Sequence, residues 1–201
     1  EQAPEEKAPP DTAPAEGQIE LPALTFDRVR IENAALTYRD GETGKTQTAT
    51  LALLTAAAPE KDGPVSIEAT GAYNQQPFKV TGTVGPISSV LDAGRPWPLK
   101  LQANALGLNV ALDGSIKDVP KTSGLDILVS AEAQSLEQAL AFAGIKDMPE
   151  QGPLSFAARV TDPAEKTYKL SDLKLSLKDA DLAGMLQVDL AGERPRIEAD
   201  L

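Results

Sequence analysis

The chain has 201 residues, a formal net charge of −11 and only one Trp, three Tyr and four Phe. The acidic balance argues against nucleic-acid binding, because neutralising phosphates requires clustered Lys and Arg. Cysteine and histidine are both absent, which excludes disulfides and thiol catalysis and removes the commonest general base and zinc ligand.

Residues 1–18 are rich in Pro, Ala and Glu. Such a segment buries too little apolar area to offset its ordering entropy, so we expect a disordered linker there. A spacer or partner-binding arm is the functional alternative. We expect one ordered β region over residues 19–201.

Alternation of apolar and polar residues predicts short strands along most of this region. In chain order they are Thr25–Glu32, Ala34–Arg39, Thr46–Leu54, Val65–Tyr73, Phe78–Val84, Leu99–Ala105, Leu108–Ser115 and Leu125–Ala133. Asp40–Lys45 has the composition of a hairpin turn, with glycines for the positive-φ positions. Three more strands over Leu154–Leu190 predict an antiparallel meander with one apolar face.

Two short helices are expected between strands. Ile87–Ala93 follows Pro86 and precedes Gly94, which suit a helix start and end. Ser135–Ala143 begins with a possible N-cap and is followed by Gly144. The lone Trp97 is expected to pack over the first helix; stacking on a ligand is the alternative.

Residues 65–116 and 125–201 echo each other weakly. Each contains strands, a short helix, a glycine and a Pro-Leu entry into the next strand, at Pro98-Leu99 and Pro153-Leu154. Two copies of one strand–helix–meander unit would stack along a quasi-one-dimensional sheet.

Nothing in the sequence predicts catalysis, a cofactor or a metal. The aspartates are expected on turns and wet strand faces, where charge aids solubility. The nearest approach to a calcium loop is Lys178–Asp181, which lacks the required spacing. A hydrolase would need a nucleophile motif that is not present.

Four stretches carry a resemblance to a known family: FDRVRIENAALTYRDGETGK (Phe26–Lys45), PLKLQANALGLNVALDGSI (Pro98–Ile116), QSLEQALAFAGIKDMPEQGPLSFAARV (Gln134–Val160) and YKLSDLKLSLKDADLAGMLQVDLAGERPRIEADL (Tyr168–Leu201). In their order and spacing the chain resembles the AsmA family of bacterial envelope proteins. The resemblance implies an elongated, curved antiparallel β-sheet whose concave face is an apolar groove. It also implies a periplasmic segment of a longer protein anchored in the inner membrane.

The function implied by the resemblance is to bind or conduct phospholipid acyl chains towards the outer membrane. The candidates for the groove lining are the alternating apolar residues Leu99, Leu101, Leu125, Ile127, Val129, Leu154, Phe156, Leu173, Leu175, Leu186 and Val188. Ordinary sheet core is the other interpretation of each. The competing function is a structural module that binds envelope proteins through unpaired edges at Thr25–Glu32 and Arg196–Leu201.

Overall fold

A computed structural model describes residues 27–39, 46–60, 62–73, 75–105, 107–137, 152–178, 180–192 and 194–201. The linker expected over residues 1–18 and the hairpin turn expected at Asp40–Lys45 lie outside the described residues. The second expected helix, Ser135–Ala143, is described only at its first residues, of which Leu136 and Glu137 are helical.

The described chain is mainly β, as predicted, and forms one open antiparallel sheet of eleven strands in chain order. The strands are β1 (Arg28–Arg39), β2 (Thr46–Ala57), β3 (Val65–Tyr73), β4 (Gln76–Val84), β5 (Trp97–Ala105), β6 (Leu108–Asp118), β7 (Ser123–Ala133), β8 (Leu154–Ala164), β9 (Thr167–Leu177), β10 (Ala180–Asp189) and β11 (Arg196–Asp200).

This sheet is essentially a single layer. Each strand contacts chiefly the strands before and after it. Among the described residues no large side chain is fully buried, and the buried apolar residues are Val65, Ala69, Val84, Leu99, Ala133, Ala158 and Leu173. The core is therefore thin and lies on one face of the sheet.

The expectation of two short helices is wrong for the first of them. Ile87–Ser89 is a single 3₁₀ turn, followed by further turns up to Arg95. Pro86 does precede it, as the sequence indicates, but the Ser89 N–H binds Pro86 O and the Val90 N–H binds Ile87 O, which is the tighter i→i+3 pattern. The Trp97 indole holds Pro86 O, and Asp62 holds the Ser88 hydroxyl, and these non-local bonds favour the tighter turn.

The first two predicted strands are one strand, β1. The apolar residues Val29 and Ile31 have odd numbers, whereas Ala34 and Leu36 have even ones. Because alternation within one strand keeps the same parity, this change predicts two separate strands. The chain instead absorbs the extra residue at Asn33, whose φ is 54°, a conformation that Asn tolerates better than most residues. Strand β2 takes the same step, since its register on β3 shifts between Leu51 and Leu53.

Strand β9 shows the same device. Asp172 has a φ of 52° and is an extra residue relative to both neighbours, because Ala157 and Arg159 of β8 pair with Lys174 and Ser171, while Gly184 and Leu186 of β10 pair with Leu173 and Leu170. A bulge bends its strand and raises the local twist. Here it also returns Leu170 and Leu173 to the same face.

Two glycines occupy positions that no other residue fits. Gly82 has a φ of 151° and Gly184 a φ of 154°, and a Cβ on either would collide with a carbonyl oxygen of the neighbouring strand, that of Lys100 or Asp200. The missing side chain allows close approach of the strands and a local kink.

Gly82→Ala should therefore reduce the free energy of unfolding by about 1–3 kcal/mol, the usual range for backbone strain. Gly192→Ala is the matched control, because its nearest neighbour would be Arg194 O at 3.6 Å. Urea unfolding followed by circular dichroism measures both. Equal stability of the two variants would contradict the strained geometry at Gly82.

Asp162 fastens β8 to β7 where their backbone ladder ends. Its carboxylate accepts hydrogen bonds from the backbone N–H of Gly124 at 2.8 Å and of Leu125 at 2.5 Å. The next residue, Pro163, has no N–H to offer. The side chain thus replaces ladder bonds at this end.

Removing that carboxylate in Asp162→Ala should lower the free energy of unfolding by about 1 kcal/mol, the net value of a hydrogen bond that water partly replaces. Asp162→Asn keeps one acceptor oxygen and should lose less. The same urea unfolding measurement ranks the three proteins. Equal stability of all three proteins would show that these bonds contribute nothing.

Candidate functional site

The strand register defines an apolar face of the sheet. Directly paired residues in an antiparallel ladder project to the same side. One row of such pairs crosses ten strands without a polar residue: Ile31, Leu54, Ala69, Val80, Ala103, Val110, Ala131, Phe156, Leu175 and Leu182. At about 4.8 Å per strand, this row runs roughly 40 Å.

A second row lies nearer the strand ends where the β4–β5 connection begins. It crosses nine strands through Val65, Val84, Leu99, Gly114, Ile127, Val160, Leu170, Leu186 and Ala199. Both rows contain only aliphatic residues, glycine and one phenylalanine. The two rows together therefore form a continuous strip without charged residues along the middle of the apolar face.

All the groove candidates chosen from the sequence fall on this apolar face. Leu99, Ile127 and Leu186 belong to the second row, and Phe156 and Leu175 to the first. The remaining candidates lie in neighbouring rows on the same side: Leu101, Leu125, Val129, Leu154, Leu173 and Val188. Leu99 and Leu173 are buried, and the others are partly exposed. Whether any of them contacts a ligand stays a prediction.

The candidate set contains no residue of the first four strands or of β6. The structure adds Val29, Ile31, Leu54, Ile67, Phe78, Val80, Val84, Val110 and Leu112 to the same face. The signal was present, because Val65–Tyr73 and Leu108–Ile116 alternate as regularly as the later strands.

Exposure on the apolar face rises towards both edges of the sheet. Val65 in β3 is 2% exposed, whereas Leu36 in β1 is 69% exposed and Ile197 in β11 is 66% exposed. Large apolar side chains at the edges thus face solvent in the described structure, which is unusual for a soluble surface.

The opposite face is polar and carries cross-strand ion pairs. Lys79 lies 3.0 Å from Glu68, and Lys100 lies 3.1 Å from Asp113. Arg159 binds Asp126 with two bonds of 2.6 Å, from Nε to Oδ1 and from Nη2 to Oδ2. Such exposed pairs contribute little each, but they mark this face as the hydrated one.

The Arg159–Asp126 pair gives stability a pH dependence. The hydrogen bonds from the Arg159 guanidinium, with its charge, hold the pKa of Asp126 below its ordinary value. A carboxyl whose pKa is lowered on folding stabilises the fold when ionised. Its contribution is complete above the unfolded pKa, about 3.9, and is lost as the pH falls through the lower folded pKa.

Asp126→Asn should therefore be slightly less stable than the wild type at neutral pH, and the difference should vanish at a pH below the folded pKa of Asp126. Urea midpoints for both proteins across an acid titration measure this. The effect is small because both side chains are about half exposed. A difference that persists at the acidic limit would show that packing, not charge, is lost.

The polar face also has shallow depressions. One of about 340 Å³ lies over the small residues Ala111, Ser130 and Ala157, between Asp113 and Arg159. A second, of about 360 Å³, adjoins it through Ala111 and Ser130. Both are open depressions between longer side chains; the first carries charges of both signs, and the second only that of Glu132.

No metal-binding constellation is found among the described residues: no three His, Cys, Asp or Glu side chains lie close enough to hold an ion. The described part of the chain also contains no helix with the length and apolarity needed to cross a membrane.

Comparison with known proteins finds a distant relative. The chain is 24% identical over 139 residues to AsmA family protein YhjG of Escherichia coli (strain K12). The match covers 67% of this chain and 20% of the relative, so the chain spans about a fifth of the length of that protein. The AsmA resemblance expected from the sequence is thus supported at the level of a distant similarity.

No family model matches the chain. No solved structure matches it either.

Proposed function

We propose that this chain is the periplasmic part of an AsmA-like, inner-membrane-anchored protein, and that its apolar face binds or conducts phospholipid acyl chains. The transfer would run between the inner and outer membranes and support outer-membrane biogenesis, without enzymatic chemistry. The observation that carries the proposal is the charge-free aliphatic strip, which crosses nine strands and has no second sheet over it among the residues that the structure describes.

The shape of the sheet supports this proposal. Bulges at Asn33 and Asp172 and kinks at Gly82 and Gly184 are devices that bend strands. The buried apolar residues all lie on the apolar face, although no second sheet covers it in the described part of the chain. Curvature towards that side would account for both facts and would make the apolar face the inner side of a groove.

The energetics suit transfer better than storage. Burying a methylene group contributes about 0.8 kcal/mol, so an acyl chain of sixteen carbons gains roughly 12 kcal/mol on leaving water for such a groove. It gains about as much in a bilayer. Exchange between groove and membrane is then nearly balanced, and polar headgroups would stay in solvent at the groove's open side.

The similarity to an AsmA family protein of Escherichia coli supports the envelope setting. The match covers a fifth of that relative. Transport over the whole distance between two membranes would therefore need a longer sheet than this chain forms.

A structural module of the cell envelope is the second candidate function, and the exposed edges favour it. Each edge strand carries a large apolar side chain that is mostly exposed: Leu36 in β1 is 69% exposed, and Ile197 in β11 is 66% exposed. Edge strands of this kind pair readily with another chain. In that case the apolar face would be covered by protein, and no lipid would move.

The lipid proposal is tested with two neighbouring residues of β10. Leu182 pairs with Leu175 on the apolar face and is 38% exposed, while Ala183 pairs with Lys174 on the polar face. Leu182→Glu places a charge where acyl chains would lie and should reduce bound phospholipid several-fold. Ala183→Glu adds the same charge on the hydrated side and should leave binding unchanged.

Bound lipid is measured by mass spectrometry of extracts from protein purified out of bacterial envelopes, and by uptake of phosphatidylglycerol from vesicles. Circular dichroism verifies that both variants are folded. Absence of lipid from the wild type, or equal loss in both variants, would reject the lipid function and leave the structural module.

A further inference from the structure

The β4–β5 connection, residues 85–96, packs onto the apolar face. Ile87 from its 3₁₀ turn contacts the buried cluster of Val65, Val84 and Leu99, and Trp97 at the start of β5 joins the same cluster. Among the described residues outside the strands, Ile87 and Ala58 are the ones that pack on this cluster. This connection, which we call the wall, therefore closes one side of the strip over β3–β5.

Several hydrogen bonds hold this wall in place. The Trp97 indole Nε1–H donates to Pro86 O at 2.9 Å, and the Gly85 N–H donates to Pro98 O at 2.8 Å. Ser88 Oγ donates to Asp62 Oδ1 at 2.9 Å, which ties the turn to the β2–β3 connection. A Cβ on Gly85 would lie 2.7 Å from the indole ring, so the two elements are in close contact. These contacts tie the connection both to β5 and to the β2–β3 connection.

The wall stands over one well-buried part of the apolar face; Ala158 in β8 and Leu173 in β9, 3% and 7% exposed, belong to another. Val65, Val84 and Leu99 are 2%, 8% and 7% exposed, whereas Leu182 in β10 is 38% exposed. Towards the β10–β11 edge, Leu182 and Ile197 are 38% and 66% exposed, so the face is open to a ligand there. At the wall, the protein's own side chains already occupy the space above the strip.

We infer that Ile87 and Trp97 form a stop that sets how long an acyl chain the apolar face accepts from the β10–β11 edge. This rests on the lipid function proposed above. An acyl chain that lies along the strip gains apolar contact with each added methylene until its end meets the stop. Further carbons then stay in water or displace protein side chains.

The stop has a quantitative signature in binding. Each buried methylene should raise affinity about fourfold. For the wild type, affinity should rise at that rate with chain length and then level off. Trp97→Ala and Ile87→Ala remove bulk at the stop, so the levelling should move to longer chains while the affinity of short chains stays the same.

The experiment uses lysophosphatidylcholines of increasing saturated chain length, each below its micelle concentration, in displacement of bound cis-parinaric acid. Wild type, Trp97→Ala, Ile87→Ala and Trp97→Phe are compared. Trp97→Phe keeps most of the ring volume but loses the bond to Pro86 O, and it should level off close to the wild-type length. Leu91→Ala is the matched control, since Leu91 lies on the same connection and is 43% exposed.

Each outcome is decisive. A longer limiting chain in Trp97→Ala or Ile87→Ala, with Leu91→Ala unchanged, supports the stop. A uniform loss at every chain length, or the same limiting length in all variants, overturns it while leaving the lipid function intact. If Trp97→Ala fails to fold, Ile87→Ala decides. If the wild type binds none of the probes, both the stop and the lipid function fail.

Discussion

The structure depends on one geometric constraint: every strand must keep its apolar side chains on the same side while it pairs with neighbours on both edges. A slip of one residue would turn a whole strand's apolar set towards the wrong face. The extra residues at Asn33 and Asp172 solve this problem where the apolar positions switch between odd and even residue numbers. Strand β2 repeats the step of β1, so the ladder between them stays unbroken.

The same constraint explains the thin core. A single layer of strands stabilises itself through backbone ladders and contacts between neighbours, much as repeat proteins do. The apolar face is thus the source of packing energy and also the surface left over for function. Where Ile87 and Trp97 cover it, it behaves as a core; where nothing described covers it, large aliphatic side chains meet solvent. The ion pairs and polar rows of the other face keep that side in water.

Local patterns predicted the strands well because alternation is a property of each strand alone. The predicted bounds of Val65–Tyr73 are those of β3, and every groove candidate lies on one face. The bulges were not predictable in this way, since Asn33 became a break between two predicted strands, and only the register against β2 shows that the strand continues. The helix expected over Ile87–Ala93 had correct end signals, but the anchoring of Pro86 by Trp97 and of Ser88 by Asp62 is non-local and decides the tighter turn.

Strand parity has a consequence for self-association. The described sheet has an odd number of strands in a strictly antiparallel order, so its two edge strands, β1 and β11, run in the same direction. Two copies joined head to tail with their apolar sides aligned would meet in a parallel pair, unlike every other pair in the sheet. If β11 of one copy instead paired antiparallel with β1 of the next, the second copy would be turned over, and the apolar face would not continue from one copy to the next. For a sheet bounded by these two strands, open-ended filaments are thereby disfavoured, and the natural symmetric alternative is a twofold contact of one edge with itself.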